Sequence, residues 1–392
     1  MLVFFLSLIS FKETKRLSKL DKSTLEFWKF EQEFIIKNID ITINLLFIIF
    51  ISWLIVAEHA IVHYFISVKD LNLICVGNAI VDIIADVDDN FLNENNLKKG
   101  SMSITSNEEF NILFSKIKNY SVKSGGSAAN TAVGFSSFGG KSSFIGRVGK
   151  DNFGEAFSND LQNSNVSFYN DKISSSNSET SKSLILVSGD GERTMCTILD
   201  ASSFLLLKNL DYSILKKGDF IYIEGYLFDL VETKNSLIEL CKYAKDRDLT
   251  LCLSLSDSFC VDRHRDDLIF LIKNYINILF ANEDELNSLC NFKNSLTKSH
   301  GFLRDLVQQS VITYGSRGSK VFLKEEIVQI KAVKTNNVVD TTGAGDLYAS
   351  GFLFGLSKKL PLVSCGLLAG KAASEIIQHY GARPEKDLSQ LI

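Results

Sequence analysis

Asp340-Thr341-Thr342-Gly343-Ala344-Gly345-Asp346 stands immediately before the apolar, helix-length run Leu347–Gly355. Glycines at a helix start let backbone N–H groups approach an anion closely, and the helix dipole adds roughly half a positive charge at that end. The string therefore predicts a phosphate cradle. Asp346 follows the last glycine directly, so its carboxylate faces the same spot, where it can take a proton from an alcohol attacking a phosphoryl group. A lone Gly-x-Gly is an ordinary turn; seven such residues ending on a carboxylate are far more specific.

A second small-residue segment lies upstream. Gly125-Gly126-Ser127-Ala128-Ala129-Asn130 opens another helix, and Gly139-Gly140 leads into Ser143–Gly149, then Asp151 and Gly154. Small residues followed by a side-chain amide suit close approach of a hydroxylated ligand, although helix N-termini use glycine for their own sake. Gly139-Gly140-Lys141-Ser142 imitates the end of a P-loop, but the spacing demands a glycine where Phe135 stands, which excludes that motif.

Around these segments, short β-branched runs alternate with amphipathic stretches. Strands are predicted at Leu71–Val76, Ser143–Arg147, Phe220–Glu224, Leu249–Leu255, Ile276–Phe280 and Val311–Tyr314, with helices such as Val231–Lys245 and Glu283–Cys290 between them. Strand, helix, strand repeated in this way means a mainly parallel sheet with helices on both faces. Ser183–Ser188 and Thr194–Leu199, joined through Gly189-Asp190-Gly191, break the alternation and read as a β-hairpin that forms a small lid. The Ser/Asn-rich stretch Ser174–Ser181 before it reads as a surface connection.

Together these segments resemble the ribokinase-like, or PfkB, carbohydrate and nucleoside kinase family over Leu71–Ile392. The resemblance implies a three-layer α/β/α fold with a mainly parallel central sheet and a small β-strand lid that includes residues 183–199. It implies transfer of the γ-phosphoryl of ATP to a hydroxymethyl oxygen, with Asp346 as catalytic base and Gly343, Ala344 and Gly345 as the anion hole. Asn282-Glu283-Asp284-Glu285 matches the family's Asn-x-x-Glu, which implies that Asn282 and Glu285 order Mg2+ and phosphate through water, Glu285 being an indirect metal ligand. Thr313-Tyr314-Gly315-Ser316-Arg317-Gly318 resembles the Thr-x-Gly-x-x-Gly turn, with Thr313, Gly315 and Gly318 holding the nucleotide. A monovalent cation, K+, beside the anion hole is implied as well. Arg193 lies on the hairpin, where a guanidinium can swing over the phosphates as the lid closes.

The acceptor is read from Gly77-Asn78-Ala79-Ile80-Val81-Asp82. A carboxylate accepts two hydrogen bonds from vicinal hydroxyls, so Asp82 suits a ribose or sugar diol, supported by Asn78, Gly125, Gly126 and Asn130. The spacing from Asn78 to Asp82 is similar to the adenosine kinase branch, whereas ribokinases place the Asp two positions after the Asn and carry a lysine where Ser127 stands. The blocks Tyr222–Asp229 and Leu253–Arg265 resemble an adenosine-kinase-like bacterial subgroup, and a ring near Tyr226 or Phe228 suits stacking on a purine. Adenosine is the expected acceptor, ahead of ribose or fructose. A catalytically silent nucleoside-binding protein is the alternative from another class; retention of Asp346, Asn282 and Glu285 in one chain speaks against it.

Composition agrees. The 392 residues are 45% hydrophobic and carry 42 basic against 46 acidic side chains, which suits a packed core and small-molecule ligands and gives no electrostatic grip on nucleic acid. Seven scattered cysteines without a Cys-x-x-Cys pair read as free thiols in a reducing cytoplasm. A monomer or homodimer is expected. Residues 1–70 differ from the rest: both tryptophans, no glycine, and an apolar run from Ile41 to Ala57 within a candidate membrane segment, residues 41–66. Lys12, Lys15, Arg16, Lys19, Lys22, Lys29 and Lys37 precede that run, and the positive-inside rule would then put the ATP-dependent body outside the cytoplasm. A dispensable or misassigned extension, with an enzyme free in the cytoplasm, is the expectation. His59 and His63 share a helix spacing but lack a third metal ligand nearby.

Overall fold

The computed structural model describes residues 71–170 and 178–392, less 206, 208, 209, 292–294 and 336, together with residue 26. The chain divides into two units, Met1–Lys69 and Asp70–Ile392. The apolar run Ile41–Ala57, the His59/His63 pair and residues 174–177 of the Ser/Asn-rich stretch lie outside the described residues. Among the described residues no helix is long and apolar enough to cross a membrane.

The strands, in chain order, are β1 (Asn72–Val76), β2 (Ile80–Asp86), β3 (Met102–Ile104), β4 (Ser121–Ser124), β5 (Lys141–Gly146), β6 (Val166–Asn170), β7 (Ser181–Val187), β8 (Arg193–Ile198), β9 (Phe220–Glu224), β10 (Thr250–Ser254), β11 (Ile278–Asn282), β12 (Gln309–Thr313), β13 (Ser319–Phe322) and β14 (Ile327–Ile330). Nine of them form one sheet in the order β14-β13-β12-β11-β10-β9-β1-β5-β6. It is parallel from β12 to β6, and β13 and β14 close one edge antiparallel.

Successive side chains of a strand point to opposite faces, and both faces are covered here, which is why β1 is apolar throughout. Leu73 and Cys75 pack with Phe144, Tyr222 and the helices Ser127–Ser137, Ala344–Ser357 and Leu362–Ile376. Ile74 and Val76 pack the other way, with Ile221, Ile223 and the helices Val231–Lys245 and Ser258–Tyr275. Each fully buried side chain of this kind stabilises the fold by about 1.5–3 kcal/mol. Helices, sheet, helices are the three expected layers.

The chain runs from β1 outward to β5 and β6, then crosses back to β9 and continues the other way. The order therefore reverses between β1 and β9. In open α/β sheets, ligands bind outside the carboxyl ends of the strands at such a reversal.

The remaining five strands form the lid sheet, in the order β3-β8-β7-β2-β4. β7 and β8 pair antiparallel, Ser183 opposite Thr197, as the hairpin reading expects. β2 adds in parallel to β7, and β3 to β8. One lid face packs Ile83, Leu184 and Leu186 against Leu92 of the helix Asp89–Glu94 and against Phe110 and Leu113 of Asn107–Ser115. Asp82 thus sits on a lid strand.

Candidate active site

Three turns meet at the reversal. In the first, Gly343 takes a φ of 73° as N-cap of the helix Ala344–Ser357, so the helix begins three residues ahead of Leu347. That left-handed conformation favours glycine, and a Cβ there would also lie 2.8 Å from the Ala382 Cβ. At Gly345 a Cβ would meet nothing within 4 Å, which leaves the helix tip open toward the cleft. Asp340, buried, holds the turn: its carboxylate accepts from Thr342 N at 2.7 Å and from Gly381 N at 2.8 Å.

In the second turn, Gly126 has a φ of 86°, and a Cβ on it would come 2.5 Å from the Asn78 carbonyl oxygen. At Gly125 a Cβ would fall 2.1 Å from Asp82 Oδ2. These glycines are required by close approach. The helix they open, Ser127–Ser137, carries Ser127 and Asn130 to the predicted base: Ser127 Oγ donates to Asp346 Oδ1 at 2.6 Å, and Asn130 Nδ2 to Oδ2 at 2.9 Å. Both signatures therefore converge on one carboxylate. Burial pushes the half-buried Asp346 above the usual carboxylate value, opposed by Ser127, Asn130 and the charge of Arg383.

The third turn follows β1. Asn78 is buried, and neither polar atom of its side chain makes a hydrogen bond of normal geometry among the described residues. Asn130 Oδ1 is in the same condition. Buried polar groups left in this way are costly, and both line the cleft. Burial pushes Asp82 up to about 7, against the lowering effect of Arg383 and Arg193.

The cleft has a volume of about 530 Å³. It brings together Asn78, Asp82, Gly126 and Asn130 on one side and Gly343, Ala344, Gly345 and Asp346 at its base. Asn282, Glu285, Thr313 and Gly315, the residues expected to hold the nucleotide, line the same cleft. Gly125 packs behind Asp82 instead of lining the cleft. Gly318 (φ 89°) lies under its turn, where a Cβ would meet Ile330 O at 2.2 Å. Asn282 and Glu285 form a capping box: Glu285 N donates to Asn282 Oδ1 at 2.9 Å, while Asn282 N and Nδ2 donate to the two Glu285 oxygens at 2.9 and 2.6 Å. Burial pushes Glu285 up to about 7. Arg193 is on β8, mostly buried, and pairs with Asp340. Tyr226 lines the cleft with its hydroxyl on Asp257 Oδ2 at 2.8 Å, whereas Phe228 is core.

Glu224 and Arg383 escape the sequence reading. Glu224 closes β9, is 1% exposed, and accepts from Asn78 N at 2.7 Å and from Ala128 N at 2.9 Å. It caps the helix whose own N-cap, Gly126, has no side chain, and it ties that helix to the β1 turn. Burial pushes it up to about 7 despite these bonds. Its signal was a carboxylate ending the apolar run FIYIE. Arg383, in Gly381-Ala382-Arg383-Pro384, donates to Ala129 O at 2.9 Å.

The family description "pfkB family carbohydrate kinase" matches residues 70–388. This chain belongs to that family. An adenosine kinase structure from Sinorhizobium meliloti is 35% identical, covering 82% of this chain and 98% of its own, with a TM-score of 0.77. The "probable sugar kinase" of Rhizobium etli CFN 42 is 34% identical over the same shares, with a TM-score of 0.78. The Saccharomyces cerevisiae adenosine kinase is 26% identical over 308 residues, 73% of this chain and 88% of that protein. The fold of this pfkB family member is thus the ribokinase-like α/β fold, and the protein is an ATP-dependent phosphotransferase acting on a nucleoside or sugar.

Proposed function

We propose that this kinase transfers the γ-phosphoryl group of ATP to the 5′-hydroxyl of adenosine, with Asp346 as general base. The observation that carries the choice of acceptor is the lid: Ile80, Met102, Ile185, Met195 and Leu199 present apolar side chains to the same cleft that holds Asp82 and Asn78, while the polar lid residues among them are engaged elsewhere, Ser183 with Thr197 and Arg193 with Asp340. A nucleoside has a diol at one end and an apolar ring face at the other. A free hexose carries hydroxyls around its rim and leaves some of them unpaired against such side chains. Tyr226, its hydroxyl fixed by Asp257, supplies a ring at the cleft edge.

In this reading, Asp82 and Asn78 accept the ribose diol, Asn130 steadies Asp346, and lid closure expels water. Asp346 takes the proton of the 5′-hydroxyl as its oxygen attacks phosphorus, and the helix tip at Gly343–Gly345 stabilises the charge that develops. General-base help is worth 10² to 10⁴ in rate, roughly 3–5 kcal/mol of barrier. Among the described residues no cluster of three or more His, Cys, Asp or Glu is arranged to hold a metal. One cleft carboxylate with an amide beside it, Glu285 with Asn282, fits a magnesium that arrives on the nucleotide and keeps its waters. That ion neutralises phosphate charge when bound.

A coupled ADP assay over adenosine, other nucleosides, ribose and fructose tests the reading. Adenosine should give the highest kcat/KM with AMP as product. A sugar kinase is the second reading, favoured by the similarity to the Rhizobium etli protein, and faster turnover of ribose or fructose would establish it instead. Adenosine binding without ADP release from any acceptor would mark a silent binder.

A further inference from the structure

The three residues Gly381-Ala382-Arg383 touch both signature turns in succession. Gly381 N–H is held by Asp340, the Ala382 Cβ fills the space a side chain at Gly343 would need, and Arg383 reaches the acceptor turn. Arg383 Nη1 donates to Ala129 O at 2.9 Å, Nη2 to Gly125 O at 3.4 Å and Nε to Ser124 O at 3.3 Å. The side chain is 14% exposed, and an Asp160 carboxylate oxygen stands 3.7 Å from Nε. A planar fork of five fixed donors matches a curved row of carbonyls in a way no flexible ammonium does. Gly125 and Gly126 bring no side chains of their own to hold that row.

We propose that Arg383 is a positioning residue of the transfer centre: its guanidinium fixes the carbonyls of the acceptor turn and places one positive charge facing Asp82 and Asp346. The proposal rests on the reading of Asp346 as base and Asp82 as acceptor ligand.

The surroundings make that charge matter. Asp346 is faced by Ser127 and Asn130 from its neighbouring helix and by the charge of Arg383; Glu224 and Tyr222 on β9, Cys75 on β1, Asp82 on β2 and Glu285 on the helix Glu283–Cys290 lie within its field. Asp82 is faced by Arg383, by Arg193 from β8 and by Asp346. Burial raises both aspartates while Arg383 lowers both, so removing the guanidinium raises them further and moves the acidic limb of activity to higher pH.

Two full-length variants test this. Arg383→Gln should shift the acidic limb of the kcat/KM–pH profile for adenosine upward by about one pH unit, the effect of losing one nearby opposite charge. Arg383→Lys keeps the charge and loses the fork, so it should leave the limb in place and raise the acceptor KM about ten-fold, the weight of one charge-assisted hydrogen bond. An unmoved limb in Arg383→Gln, or a wild-type KM in Arg383→Lys, overturns the proposal. If Arg383→Gln does not fold, the Arg383→Lys KM decides alone. Carbon-13 NMR titration of the aspartate carboxyls, assigned with Asp82→Asn and Asp346→Asn, needs no substrate. Upward titration of both carboxyls in Arg383→Gln, in a protein whose wild type turns over no acceptor, sustains Arg383 and sinks the kinase reading of Asp346. Carboxyls that do not move sink the Arg383 proposal whatever the acceptor.

Discussion

Asp346 has both oxygens occupied by donors from the neighbouring helix, 2.6 Å from Ser127 and 2.9 Å from Asn130. A carboxylate steered in this way has little rotational freedom, so what it would bring to the proposed reaction is basicity at a fixed place. Asp346→Asn should lower kcat by 10²- to 10⁴-fold while adenosine affinity by calorimetry stays near wild type; a variant that still turns over within ten-fold of wild type means another group takes the proton. Glu224 is the complementary case, a buried carboxylate that accepts two backbone N–H bonds. Glu224→Gln should cost about 1–3 kcal/mol, since one amide group then meets an N–H it cannot accept from, and a urea titration reads the loss. The place of Asp346, Asn130 and Asp82 in one cleft was legible because each sits inside a local string of distinctive composition. Glu224 and Arg383 were not, because their partners lie 146 and 254 residues away in the chain and only the fold brings them together.

Among elements, the central parallel strands were the clearest. A strand covered on both faces reads as an unbroken apolar run, and β1 and β9 lie where the sequence put them. The lid was only half legible. β7 and β8 alternate around a glycine turn, but β3 (MSI) and β4 (SVKS) are short, edge-placed and partly polar, and carry no periodic signal. Helix tips were legible as glycine pairs, although the reason for each glycine differs: openness at Gly345, close approach at Gly126. Gly126→Ala therefore meets two obstacles, a φ of 86° and the Asn78 carbonyl at 2.5 Å. It should destabilise the protein by about 1–3 kcal/mol and raise the acceptor KM, whereas Gly139→Ala, with a φ of 85° but nothing within 4 Å, should raise no KM. Thermal melts and acceptor saturation curves separate the two.

At the scale of the molecule, Asp82, Glu224 and Glu285 all stand near 7, against usual values of 3.8 and 4.5. With raised values the folded state holds more protons than the unfolded chain between pH ~4 and ~7, so their contribution to stability is full below that window and lost as pH rises through it. In the proposed reaction activity runs oppositely, since Asp82 and Asp346 would act ionised. The ligand-free protein should melt lower at pH 8 than at pH 6 by calorimetry, while kcat/KM rises over the same interval; parallel trends would mean that the cleft carboxylates do not govern both. A protein trimmed to begin at Asp70 should fold and phosphorylate as the full chain does, because the family match and the second unit share that boundary. Loss of activity in the trimmed protein would give residues 1–69 a part in the enzyme.

The helices that carry the predicted base and its two donors touch at Gly134, where a Cβ would sit 2.5 Å from Ser350 Oγ and 2.6 Å from Leu347 Cδ1. Packed that tightly, they form a single machined block: a change on one is felt at once on the other. Evolution, or an engineer seeking a new alcohol partner, has little room to adjust this block without jamming it. Diversification should therefore fall on the roof, in the side chains that Ile80, Met102, Ile185 and Met195 hold over the cleft.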